Sequence, residues 1–310
     1  MIEELIVERE RLWAQHPIIC EAAVLPSTSV QNAVWAVIEG ARKTRFSYAS
    51  WADPVTGKSR CLTAIENFIR QEHPGSGVLR YEAMREESSA EGRLLEDILL
   101  QMAIAAPIAR SLAGKRDQLT RALLALAGVD MHLYMLIDEA QELHIRELNW
   151  LKGVINKVIV KQVKVTVVLM GQKQLLDRID ELKTAGRQDL LERFFKRVVE
   201  FKGCRTVEDL ATLCEAMDIK SEYPGGSGWS YTMFLFPRAY ENGLRLQAKA
   251  QVLWQAFTAL RSASEVQRGI PMEAISSYLA QICLLHKDLD SADMELDLGL
   301  LEEAAKETLS

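Results

Sequence analysis

The 310-residue chain has little of what marks several common classes of protein. Its five cysteines, Cys20, Cys61, Cys204, Cys214 and Cys283, are scattered without a C-x-x-C pair, so neither a zinc site nor a disulfide framework is expected. That usage fits a reducing, cytoplasmic setting. The five histidines are equally dispersed. No run of about 18 apolar residues occurs, so no membrane span is expected, and the N-terminus MIEELIVERERLW is unlike a signal peptide. Positive charge is short: the formal net charge is -6, which excludes a generally basic nucleic-acid coat and leaves only local patches for phosphate contacts. Internal repeats, low-complexity stretches, helix-turn-helix and zinc-finger patterns are all missing, so sequence-specific reading of bases is not expected.

What is present is an ordinary globular composition, 48% apolar and 26% charged, long enough for a main domain plus a smaller one. Residues 2–14 place Ile2, Leu5, Ile6, Leu12 and Trp13 at helical spacing. After Pro17 and Pro26, Ser27-Thr28-Ser29 is a helix start for a segment reaching about Arg42. Residues 44–49 read as a strand entering a loop over 50–57, and a helix resumes after Lys58, ending at His73-Pro74-Gly75. Residues 78–83 read as a second strand, and Ser88-Ser89 precede a helix carrying Leu94, Ile98 and Met102. Residues 114–117 read as a polar break before a helix over 119–126. Residues 133–137 are a continuous apolar run, the pattern of a strand buried on both faces, and residues 163–170 read as another buried strand, with a helix over 149–159 between them. Strands alternating with helices predict an α/β fold with a parallel central sheet flanked by helices.

Beyond about Arg205 the reading turns helical, with helices from Thr206, over 239–260 and over 272–285, separated by a Pro/Gly/Ser loop at 223–228. The expected organisation is an N-terminal extension (1–26), an α/β domain (27–204), a small C-terminal helical lid (205–287) and an acidic, partly mobile tail (288–310).

The segment Ala52-Asp53-Pro54-Val55-Thr56-Gly57-Lys58-Ser59 matches the last three positions of G-x-x-x-x-G-K-[ST], at a strand–loop–helix junction. In that pattern loop amides surround phosphate oxygens, the lysine neutralises charge and the hydroxyl binds magnesium. The candidate ATP contacts are Asp53, Pro54, Val55, Thr56, Gly57, Lys58, Ser59 and Arg60. Ala52 replaces the first glycine, Asp53 puts an anion near the phosphates, and a Gly-Lys-Ser tripeptide also arises by chance. The apolar run 133–137 ends in Asp138-Glu139. Asp138, with Ser59, is placed to hold Mg2+, and Glu139 to polarise a water for attack on the γ-phosphate; the two acids could equally cap a helix at Ala140. The run 165–170 ends in Gly171-Gln172, and Gln172 is a candidate to orient that water, or simply part of a turn.

The order GKS, LIDEAQEL, VVLMGQ and LLERFFKR resembles the AAA+ P-loop ATPases that assist DNA transposases, the TnsC, TniB, MuB and IstB group, related more distantly to replication initiators and helicase loaders. The likeness runs from about residue 27 to about 260, at the level of motifs. It implies an ATP-dependent homo-oligomer, a ring or helical filament, that assembles on double-stranded DNA without sequence specificity and recruits or activates a transposase, possibly with a targeting factor. It also implies an arginine finger reaching a neighbour's γ-phosphate, with Arg193 the preferred residue and Arg197 the reserve. Arg238, or Arg245, matches the sensor arginine of the helical lid. Lys115 and Arg116 fall in a region that lines the DNA channel in relatives, and Lys157, Lys161 and Lys164 form a second basic group; either set could instead be a solvated face. A helicase-loader or secretion-type ATPase, and a nucleotide-binding adaptor that no longer hydrolyses, are the competing readings.

Overall fold

The computed structural model describes residues 2–85 and 89–309; Ser88, read above as part of a helix start, lies outside the described residues. In chain order, α1 (Ile2–Leu12) leads through a loop to α2 (Thr28–Ala41), whose start is fixed by the Ser27 hydroxyl accepting from the Val30 amide at 3.3 Å. There follow β1 (Arg45–Ala52), α3 (Lys58–Glu72), β2 (Gly77–Glu82), α4 (Glu91–Gln101), α5 (Leu112–Leu126), β3 (His132–Asp138), α6 (Ile145–Val160), β4 (Lys164–Gln172), α7 (Gln174–Thr184), α8 (Gln188–Phe194) and β5 (Val198–Glu200). The rest is helical: α9 (Val207–Ile219), α10 (Tyr231–Leu235), α11 (Pro237–Glu241), α12 (Ala250–Thr258), α13 (Ala263–Arg268), α14 (Met272–Leu285) and α15 (Leu298–Glu307). The chain divides into two compact units: Asn32–Pro54 with Lys58–Phe201, and Met1–Gln31 with Val55–Gly57 and Lys202–Ser310.

The first unit is built on five parallel strands in the order β2-β3-β4-β1-β5. Leu133, Met135 and Ile137 of β3 join a core with Leu95, Ile98 and Leu151 from the helices on one face. On the other face α3 packs against β3 and β4, and Tyr134 stacks towards His73 at 6.4 Å. With both faces covered, β3 and β4 have no solvent side to alternate towards, which is why β3 reads as a continuous apolar run and β4 is buried at every position from Val165 to Gly171, Thr166 included. β5 was not anticipated. It has only three residues, none of them buried, and exists because Val198 finds Ala49 of β1 as its partner. The expected polar break at 114–117 is instead a turn inside α5. Ser111 caps that helix by accepting from the Gly114 amide at 3.1 Å, and Lys115 and Arg116 continue it while pairing with Glu96 and Glu91; both are good helix formers.

The helical unit has its own core, including Trp13, Leu213, Phe234, Phe257 and Tyr278. α9 opens with Thr206 and Asp209 in reciprocal capping bonds, and α14 spans the residues its periodicity predicts. The expected single helix over 239–260 is broken after α11. Gly243 takes φ +98°, and the buried Asp218 carboxylate accepts from the amides of Leu246 and Gln247 at 3.1 and 2.9 Å, starting the chain on a new direction before α12. The segment read as an acidic tail contains α15, which buries Leu301, Ala304 and Ala305 against α12 and α14. Among the described residues no helix is long and apolar enough to cross a membrane, and no cluster of three metal-binding side chains occurs.

Candidate functional site

Strand order and register bring three chain ends together in the sheet unit. β4 lies between β1 and β3, with Ala52 opposite Gln172 and Ile137 opposite Leu169. Because all three strands run the same way, Asp53, Gln172 and Asp138-Glu139 emerge side by side at the carboxyl end of the sheet, where open parallel sheets bind ligands.

Lys58 is the first residue of α3 and is 6% exposed. Its ammonium donates to the carbonyls of Asp53 at 2.9 Å and Ala52 at 3.5 Å. Burial pulls its pKa below the usual lysine value, while Glu139, Asp138 and Asp53 pull it back up. Those three carboxylates are therefore within electrostatic reach of the ammonium. Ala52, at the position of the missing first glycine, still belongs to β1 and its methyl is buried, so extended backbone there needs no glycine. The left-handed positions of the loop are Gly57, at φ +96°, and Val55, at φ +55°. Glycine adopts such backbone freely, whereas a β-branched residue is strained by it. Asp53, Pro54, Val55 and Ser59 are exposed, Arg60 is half-buried and Thr56 is buried.

Asp138 ends β3 and is buried, one carboxylate oxygen accepting from the Glu139 amide at 3.0 Å. Its other oxygen lies 3.8 Å from Arg80 Nη2. Glu139 has left-handed backbone, φ 48° and ψ 38°, and its side chain makes no cap bond to the short turn Ala140–Glu142. Strained backbone of this kind persists only where neighbours over-determine it, and here two glutamines do. Gln141 Nε2 donates to Glu139 Oε2 at 2.5 Å, and Gln172 Nε2 donates to the same oxygen at 3.2 Å. Gln141 Oε1 in turn accepts from the Gln172 amide at 2.8 Å, tying the ends of β3 and β4 together. The hydroxyl of Ser59 and the carboxylate of Asp138 are hard oxygen donors, the chemistry magnesium selects.

Two residues of this site escaped the sequence reading. Gln141 sits in the same LIDEAQEL run, but its role depends on the neighbouring strand. Arg80 donates to Thr63 Oγ1 at 2.7 Å and to the Ser59 carbonyl at 3.1 Å, linking β2, the start of α3 and Asp138. Its signal was an arginine inside an otherwise apolar strand.

The remaining candidates lie elsewhere. Arg193, near the end of α8, donates to Asn156 Oδ1, and Arg197 is exposed with its guanidinium 5.9 Å from the Tyr48 ring. Lys115 pairs with Glu96 and also donates to the Gly92 carbonyl at 3.2 Å, and Arg116 pairs with Glu91. Lys157, Lys161 and Lys164 are exposed, around the end of α6 and the start of β4. In the helical unit Arg238 is exposed, while Arg245 lies 3.6 Å over the Tyr240 ring and donates to the Leu244 carbonyl at 2.6 Å.

Residues 42–179 match the family model described as AAA domain. No curated protein matches the chain. Among solved structures, the ORC2 protein of Aeropyrum pernix in ADPNP–ADP complexes aligns with TM-score 0.58 at 12% identity, over 94% of this chain and 71% of that one. Cdc6p from Pyrobaculum aerophilum aligns with TM-score 0.53 at 13% identity, over 90% of this chain and 66% of that one. The Aeropyrum pernix ORC1 protein in complex with DNA aligns with TM-score 0.51 at 11% identity, over 94% and 69%. Residues 42–179 are thus similar to an AAA domain, and the five-stranded parallel sheet belongs to a fold shared with the ORC2 and Cdc6p structures.

Proposed function

We propose that this chain is a magnesium-dependent ATPase whose nucleotide cycle controls its assembly on double-stranded DNA. The observation that carries the reading is the Glu139 carboxylate, gathered by Gln172 and Gln141 within electrostatic reach of buried Lys58. Lys58, now spent on the carbonyls of its own loop, transfers those bonds to phosphate oxygens. Ser59 and Asp138 hold the magnesium, which when bound neutralises charge on the phosphate oxygens. Glu139 accepts the proton of the attacking water, and Gln172 fixes the angle of approach. For the arginine finger, exposed Arg197 is better placed than Arg193 to meet a neighbouring protomer, because Arg193 is bonded to Asn156.

DNA as partner is supported by the fold likeness to the ORC1 protein in complex with DNA and by the exposed lysines 157, 161 and 164. Lys115 and Arg116 serve less well, since Glu96 and Glu91 already neutralise them. A transposase as the recipient of this activity rests on the motif order GKS, LIDEAQEL, VVLMGQ and LLERFFKR. Other AAA+ remodelling roles share every feature of the site. Electron microscopy with duplex DNA and a non-hydrolysable ATP analogue separates them: rings or filaments on DNA are expected, and particles indifferent to DNA would defeat the assembly reading. Lys58→Ala is expected to lose ATP binding; equal affinity in both proteins would remove the nucleotide site itself.

A further inference from the structure

A second concavity of about 450 Å³ opens in the sheet unit at the amino ends of β1 and β4. It is lined by the first three residues of β1, Arg45, Phe46 and Ser47, whereas the phosphate loop follows the last, Ala52. Seven strand steps separate Arg45 from Ala52, roughly 23 Å, so this recess is distinct from the site above.

Its charge is lopsided. Lys43, Arg45, Arg193, Lys196 and Arg197 line it against the single carboxylate of Glu192. Glu192 is already engaged, 4.0 Å from Lys196 and accepting from Gln188 at 3.2 Å. Lys43 and Arg197 face aromatic rings, Phe46 and Tyr48, at 5.8 and 5.9 Å. Arg193 has one Nη bonded to Asn156, and its other Nη is buried without a hydrogen-bond partner among the described residues. Burial, and after it the charge of Arg45, press the Arg193 pKa downward. A buried donor left unmatched costs free energy until an acceptor arrives, and several cations converging on one hollow call for an acceptor of multiple charge. Ile155, Val165 and Val167 form its apolar floor and are almost fully covered, while the Phe46 ring, one residue out of phase with Arg45 on β1, turns to the opposite face of the sheet against Gly40.

We propose that this recess binds a polyphosphate chain, free or carried by a nucleoside, held by Arg45, Arg193 and Lys196. The volume falls in the range of small-molecule pockets. A nucleic-acid backbone would instead ask for an open track of cations. The proposal does not depend on hydrolysis at the phosphate loop.

The test uses the full chain carrying Lys58→Ala, which disables the phosphate loop, titrated calorimetrically with ATP in the absence of magnesium. One ATP per chain is expected to bind, with affinity falling steeply with salt. Adding Arg45→Glu, at an exposed position that leaves the core untouched, should weaken binding by at least about tenfold, and Arg193→Ala should do the same. Inorganic tripolyphosphate should displace ATP, since the cations hold the phosphate chain; failure to displace it would count against the proposal. Binding that disappears with Lys58→Ala alone would overturn the proposal while leaving the phosphate-loop site standing. So would binding indifferent to both Arg45 and Arg193, or Arg45-dependent binding of a short DNA duplex that ATP does not displace.

Discussion

The two ends of one sheet make opposite electrostatic environments. At the carboxyl end a single buried lysine faces Asp53, Asp138 and Glu139; at the amino end five cations surround one engaged carboxylate. The difference is more than sign. At the carboxyl end the polar groups are already paired within the chain: Glu139 with two glutamines, Lys58 with two carbonyls, Arg80 with Thr63 and Ser59. At the amino end a guanidinium nitrogen is buried without an acceptor among the described residues. One end is organised in advance for directed chemistry, the other for capture of an anion.

The sharpest way to break this contrast is Glu139→Gln. If the carboxyl end is built for proton transfer, ATP turnover should fall by at least about a hundredfold while ATP affinity stays within a few fold. Steady-state hydrolysis together with equilibrium binding checks it, and parallel losses in both would mean that Glu139 only shapes the loop.

The amino end makes a prediction in pH. His132, at the start of β3, is buried and shares a 3.0 Å hydrogen bond with Thr166. Burial first, then Lys164 and His73, push its pKa down to about 4, with Asp130 opposing. A histidine that resists protonation when folded contributes stability that is complete above its unfolded pKa near 6.5 and is lost as pH falls towards 4. The loss across that window should be about 2–3 kcal/mol. Denaturant unfolding at pH 7 and pH 4.5, compared between the native chain and His132→Gln, isolates the effect; identical acid losses would show that burial does not hold this ring neutral.

The sheet was legible because burial on two faces writes itself into sequence. Residues 133–137 had no polar interruption to misread, and within 165–170 only Thr166 is polar; the structure extends β3 by one residue at each end, while β4 starts one residue later than expected and ends two later. β5 was illegible because three residues carry no periodicity and its partner is distant in sequence. The false break at 114–117 came from reading four polar residues locally, when the glutamates that pair with two of them lie on α4. The break after α11 depends on Asp218, a buried acid in another helix. At the candidate site, the loop and the strand-end acids carry motif spacing. Arg80, Gln141 and the whole amino-end recess do not, because each is defined by strands brought side by side.

Gln141→Ala sharpens the claim of advance organisation. It removes the bonds to Glu139, to Glu142 and to the Gln172 amide from a side chain 7% exposed. Stability should drop by about 1–2 kcal/mol, since a buried amide loses its acceptor. Turnover should fall by about tenfold, with Glu139 left to Gln172 alone. A stability loss with unchanged turnover would make Gln141 a brace for the strands and nothing more.

The smallest effect concerns the loop. Val55 holds φ +55°, a conformation that costs a β-branched residue about 1–2 kcal/mol. Val55→Gly should recover about 1 kcal/mol of this, after glycine's greater freedom in the unfolded chain is discounted, and raise Tm by about 2 °C. Gly57→Ala, at φ +96°, should move Tm the other way. Opposite signs at two positions of one loop would locate its strain at Val55 rather than at Ala52, the residue whose substitution the sequence makes conspicuous. If Val55→Gly also binds ATP more tightly, the strain works against the phosphate-binding conformation; if it binds more weakly, the left-handed valine is part of how the loop is held ready.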